Sequence, residues 1–259
     1  MTILAIFAGA LTGLLLGLLG SGGSIITIPT LIYLLGVEPK QAIAMSLGIV
    51  AITASITAVN HWRRGNVDMG VAVTFGLFGV VGTYAGAKLG VITPVVIQLT
   101  VFAVVMYAAA YRMLKPQPTG FNAVGADVVR GIPIWGRDSA AFLQTALLGL
   151  AVGALTGFVG VGGGFLIIPA LVLLSRIPMK RAVGTSLVIV AFNCFTGFAG
   201  YASAVTINYP LMALFTAVAI GGSFFGAMLT HRISAETLKR SFAVFLILVA
   251  SYILLKNFV

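Results

Sequence analysis

Residues 17–31, GLLGSGGSIITIPTL, return at residues 157–171 as GFVGVGGGFLIIPAL. The offset of 140 holds without a gap from Gly17–Ala51 against Gly157–Ala191, and 15 of those 35 pairs are identical. An apolar chain always matches itself somewhat. Yet four of the six glycines in the first segment fall on glycine, when only 32 of 259 residues are Gly. The chain is therefore two copies of one unit, and any fold it adopts must use that unit twice.

The class follows from how little charge is available to cover a surface. Hydrophobic residues make up 60% of the chain and charged residues 8%, against about 25% charged in a soluble domain. Ten apolar stretches fall near 3–20, 24–36, 41–60, 67–87, 93–111, 140–160, 164–175, 182–201, 209–230 and 241–255. Several reach the ~20 residues that cross ~30 Å of hydrocarbon. The expected fold is all-α: a polytopic integral membrane protein of two repeats, each with about five helical segments. Repeat 1 takes residues 1–114, a polar linker rich in Pro and Gly takes 115–139, and repeat 2 takes 140–259. The apolar run at 2–19 has no preceding Lys or Arg and recurs at 140–160, so it reads as part of the fold and not as a secretion signal.

A net charge of +10 invites a nucleic-acid reading, but the basic residues sit in short loops between apolar segments. With both termini outside, the inner loops hold Arg63 and Arg64; Arg112, Lys115, Arg130 and Arg137; Arg176, Lys180 and Arg181; and Arg232, Lys239 and Arg240. Only Lys40, Lys88 and Lys256 fall outside. That asymmetry fits the positive-inside rule in a cell (inner or plasma) membrane. Matching loops also swap their bias: HWRRGN at 61–66 stands where the second copy has the uncharged YASAVT at 201–206. The two copies are thus expected to have inverted topology. Whether segments one and two of each copy span or form a re-entrant hairpin is left open, since either choice keeps the parity.

In each copy a glycine-rich turn precedes an apolar stretch too short to span, with Pro29 and Pro169 five residues into it and expected to kink or break it. A helix that starts inside the bilayer presents unpaired N–H groups and the positive end of its dipole, which suits an anion. The candidate binding groups are Gly20, Ser21, Gly22, Gly23 and Ser24 in copy one, and Gly160, Gly162, Gly163 and Gly164 in copy two. The competing reading is close helix packing, the common use of glycine in membrane helices. Ser46, Thr53, Thr185, Ser186 and Asn193 lie on the third segments; Ser46 and Thr53 share one face, as do Ser186 and Asn193. They either complete an oxyanion's hydrogen bonds or hold helices together.

The acids Glu38, Asp68, Asp127, Asp138 and Glu236 all lie in or beside loops. The lone Cys194 reads as a packed residue, His61 and His231 as interfacial, and Trp62 and Trp135 as interfacial anchors. No metal-ligand spacing, nucleophile–base set or cofactor motif is visible. The chain is therefore expected to be no enzyme and to need no metal or cofactor.

The paired G-x-x-G-x-G-G turn with its I-P pair resembles the sulfite exporter TauE/SafE family of membrane permeases. So do K-x-A-x-x-x-S-L at 40–47 and 180–187, and RRGNVD at 63–68. The resemblance covers all but the linker. Copy two departs from copy one in having Val161 and Gly164 where copy one has Ser21 and Ser24. The resemblance implies secondary transport of small sulfur-containing anions such as sulfite or organosulfonates, by a monomer or homodimer. The substrate would sit between the two glycine turns, with alternating access from rocking one repeat against the other. A passive anion channel using the same turns is the alternative.

Overall fold

The computed structural model describes residues 2–19, 23–114, 139–164, 167, 171, 179–229 and 235–258. Nine helices are seen there: α1 (Thr2–Leu19), α2 (Gly23–Pro29), α3 (Pro39–Arg63), α4 (Met69–Ile92), α5 (Val95–Leu114), α6 (Ser139–Val159), α7 (Met179–Ala202), α8 (Tyr209–Leu229) and α9 (Ala235–Phe258). Among the described residues there is no strand. The segment expected after the second glycine turn, with Pro169, lies mostly outside the described residues, as does all but Ser139 of the linker.

The duplication fixes the helix boundaries. Helices α3, α4 and α5 begin at residues 39, 69 and 95, and α7, α8 and α9 begin 140 later at 179, 209 and 235. Even a cap repeats: the Asp68 carboxylate accepts from the Val71 amide at 3.2 Å, and the Asn208 side-chain oxygen accepts from Leu211 at 3.1 Å. Short polar acceptors at that position satisfy an amide that the first turn leaves free. Helices α3, α4, α7 and α8 contain stretches long and apolar enough to cross a membrane.

Pro29 does not break its helix. It sits in helical geometry at φ −57°, and the chain continues as a π-helical turn, Thr30–Leu34. Proline has no N–H to offer and its ring crowds the carbonyl four residues back, so the ladder re-registers instead of stopping. Leu35 then donates to the Thr30 carbonyl at 3.2 Å, and the segment ends at Gly36 with φ +65°.

Packing crosses between the copies. Helix α1 lies on α8, α6 lies on α4, α3 crosses α7, and α5 meets α9. Exchanging the copies leaves this set of pairs unchanged. The first two seams are built on glycine rows, residues 9 and 13 on α1 and residues 149, 153 and 157 on α6. There a Cβ on Gly13 would lie 2.0 Å from the Ala219 carbonyl oxygen, and one on Gly153 would lie 2.2 Å from that of Gly79. Lipid is as apolar as leucine, so such backbone approach, not exclusion from water, holds membrane helices together.

The centre is the α3–α7 pair. Gly184 approaches His61 and Asn66, whereas Gly197 approaches Leu47, so these two matching helices run antiparallel. Each is clipped by the other's following loop: the Asp68 amide donates to Thr185 Oγ1 at 2.9 Å, and Gln41 Nε2 donates to the Thr206 carbonyl at 2.8 Å.

Candidate functional site

The second glycine turn lies inside the protein. All of residues 160–164 are buried. Gly160 has φ +77° and Gly163 φ +60°, a left-handed backbone open to glycine at little cost. The turn is enclosed by three helices. A Cβ on Gly160 would meet Ile43 of α3; one on Gly162 would meet Val50 of α3 and Val190 and Cys194 of α7; one on Gly163 would meet Thr156 of α6. The Ile167 amide donates to the Gly163 carbonyl at 3.0 Å, so helical bonding resumes from Gly163. The amides of Val161, Gly162 and Gly163 donate to no other described residue. Buried amides in folded proteins are nearly always paired with protein, water or a ligand.

Two neighbours pin the turn. Ser46 Oγ reaches across from α3 to the Gly160 carbonyl at 2.6 Å, sharing its single proton with the Ile43 carbonyl at 2.9 Å. Just upstream, the Phe158 carbonyl accepts from Gln98 Nε2 at 2.8 Å and from the Tyr201 hydroxyl at 3.2 Å. The last carbonyls of α6, which its own helix cannot satisfy, are thus held by α3, α5 and α7.

The other sequence candidates divide. Gly20, Ser21 and Gly22 lie outside the described residues; Gly23 begins α2, and the side chain of Ser24 is likewise outside them. Thr53 Oγ1 is turned back on its own helix, 2.8 Å from the Ile49 carbonyl, and Ser186 Oγ is 2.8 Å from that of Val183. Thr185 is engaged by the Asp68 amide of the α3–α4 loop. Asn193 is fully buried and directed at Gly79 of α4. Sequence reasoning passed over Gln98, Tyr201 and α4 altogether. The one signal for α4 was its run of glycines at 76, 79, 82, 86 and 90.

The reach of Ser46 to a carbonyl of another segment separates it from a hydroxyl bonded within its own helix, such as Ser55. Ser46→Ala removes a donor from a buried carbonyl of another segment and is expected to cost ~1–3 kcal/mol. Ser55→Ala removes a bond to the Ala51 carbonyl of its own helix from a half-buried hydroxyl, and its effect stays within about 0.5 kcal/mol. Thermal unfolding in detergent measures both; equal losses would contradict the structural role of the Ser46–Gly160 bond.

A sulfite exporter family, TauE/SafE, matches residues 5–253. This chain belongs to the TauE/SafE family. Relatives match this chain over nearly their whole length. A probable membrane transporter protein of Xylella fastidiosa (strain Temecula1) is 33% identical over 98% of this chain and 95% of its own. A probable membrane transporter protein of Haemophilus influenzae is 27% identical over 98% of each chain. The probable membrane transporter protein YdhB of Bacillus subtilis is 25% identical over 92% of this chain and 94% of its own. No solved structure matches. As a TauE/SafE protein the chain is a membrane transporter with a small-molecule substrate, embedded in a bilayer through its apolar helices.

Proposed function

We propose that this protein is a secondary transporter of small sulfur-containing anions, sulfite or an organosulfonate, that holds its substrate at the buried glycine turn 160–164 and its counterpart around Gly20–Ser24. The observation that carries this reading is the turn itself: buried, enclosed by α3, α6 and α7, with the amides of residues 161–163 donating to no described residue. Successive free amides at a left-handed turn form a concave cradle for negative charge. The helical bonding that resumes at Gly163 adds the positive end of its dipole. Ser46 orients the turn from α3, and Val190 and Cys194 of α7 close over it at Gly162.

Residues 1–114 and 140–259 act as two repeats, joined by 115–139. Antiparallel pairing of the matching helices α3 and α7 supports an inverted arrangement about an axis in the membrane plane. The swap-invariant helix pairs support it too. Under the positive-inside pattern the protein lies in the cell membrane with both termini outside. Rocking of one repeat against the other then exposes the turn to each side in alternation.

Purified protein in proteoliposomes tests this. Preloading with unlabelled sulfite is expected to drive counterflow of labelled sulfite that saturates with concentration. Sulfite is also expected to raise the unfolding temperature, increasingly with the logarithm of its concentration above Kd. Flux without counterflow would instead identify a passive channel; neither flux nor a thermal shift with sulfite, thiosulfate, taurine or sulfoacetate well above millimolar would refute an anion site.

A further inference from the structure

A corner of the α4–α7 seam contains polar groups with nothing to bond. Asn193 is fully buried, yet neither Oδ1 nor Nδ2 has a hydrogen-bonding partner among the described residues. Thr83 Oγ1 on α4 is equally buried and equally without one. The buried helical hydroxyls of Thr53, Thr156 and Thr216 donate to the carbonyl four residues back in their own helix. Thr83, like Thr12 on α1, does not. The Asn193 amide sits where a Cβ on Gly79 would lie 2.7 Å from Oδ1 and 2.9 Å from Nδ2, and one turn on, Gly197 meets the Thr83 methyl. The two polar side chains therefore occupy successive turns of one seam. Their neighbour Cys194 touches the glycine turn at Gly162.

There is also room. Gly76 shares the face of α4 that carries Gly79 and Thr83. It is buried, but a Cβ built on it meets no described atom within 4 Å. A buried amide with neither its donor nor its acceptor paired is costly, and native proteins keep one where something else completes it.

We propose that this corner binds the protonated side of the transported anion. Asn193 Nδ2 and Thr83 Oγ1 donate to it, and Asn193 Oδ1 accepts from it. The substrate is therefore a monoanion that carries an O–H or N–H of its own, not a fully deprotonated dianion such as sulfate. A dianion would leave Oδ1 facing only acceptors. No charged side chain is buried among the described residues to compensate its second charge. A site built around hydrogen bonds discriminates strongly against the analogue that lacks one, because its own buried groups are left unpaired. This rests on the transport reading above and narrows its substrate class.

Competition against labelled sulfite counterflow tests it, using isethionate and ethanesulfonate, two sulfonates that differ by one hydroxyl. In the wild-type protein isethionate is expected to inhibit with a constant at least about tenfold lower. Asn193→Leu and Thr83→Val are each expected to bring that ratio towards one while the protein stays monodisperse. Gly76→Val, which fills open space and so spares the fold, is expected to abolish sulfite counterflow with an unchanged or raised unfolding temperature. Equal inhibition by the two sulfonates, or none by either, overturns the proposal. So does a ratio unchanged in both polar variants, the result for a corner filled by water alone, or wild-type counterflow in Gly76→Val. Each of these leaves anion transport standing; loss of wild-type sulfite counterflow would remove the transport reading and this one together.

Discussion

Gly153→Leu is expected to yield no monodisperse protein in detergent, and Gly153→Ala to unfold at a clearly lower temperature than wild type. A Cβ at this position would lie 2.2 Å from the Gly79 carbonyl oxygen and 2.9 Å from the Gly79 Cα. Those neighbours are backbone, so no rotamer change relieves the clash and α4 must move away from α6. Overpacking typically costs ~1–3 kcal/mol. Here separation also forfeits the packing along Gly149, Gly157, Gly82 and Gly86, which make similar approaches. Gly221 provides the contrast, since it is exposed on α8 and nothing lies within 4 Å of an added Cβ. Gly221→Ala is expected to be neutral or to gain up to ~1 kcal/mol of helix propensity. If Gly153→Leu and Gly221→Leu unfold at the same temperature, the glycine seam is not what holds these helices.

Gly163→Ala is expected to reduce the maximal rate of sulfite counterflow at least about tenfold, for a loss of roughly 1–2 kcal/mol in stability from the left-handed backbone alone. The φ of +60° is retained only against strain, and the new methyl would sit 2.1 Å from Thr156 Oγ1. That hydroxyl is itself bonded to the Val152 carbonyl at 2.8 Å, so it cannot turn aside freely. The amides of residues 161–163 are displaced as a group. Adding Thr156→Ala removes the clash but not the backbone strain, so the double variant is expected to recover part of the stability. Initial-rate flux and thermal unfolding on both variants measure this. Wild-type flux in Gly163→Ala would show that the turn's geometry is irrelevant to transport.

Much of the helix layout was legible in the residues. The 140-residue offset read from glycines and an I-P pair reappears as helix starts at 39 and 179, 69 and 209, and 95 and 235. Ser46, picked out by its repetition, does reach the opposite copy's turn. Thr53 and Ser186 are bonded within their own helices and Thr185 to the Asp68 amide, and the first copy's turn at residues 20–22 lies outside the described residues. A hydroxyl in apolar surroundings takes the nearest acceptor or donor, usually a carbonyl one turn back in its own helix, and sequence spacing gives the face but not that competition.

The α4 side of the Asn193 corner was hidden for a related reason. Asn193 stands out in the sequence as the counterpart of Thr53, but Gly79 and Thr83 match Ala219 and Ser223 in the other copy, so identical pairs single out neither of them. Helix partners were equally hidden. The glycine row at 149, 153 and 157 says that some helix comes close, and only the fold says that it is α4.

That α1 rests on α8, and α4 on α6, has a consequence for how the chain is made. When the first five helices leave the ribosome and enter the bilayer, the surfaces meant to receive them have not yet been synthesised. Their grooves must be occupied by lipid until translation of the second copy is nearly complete. Assembly is therefore a late event that closes around both copies at once, and neither matures as an independent body.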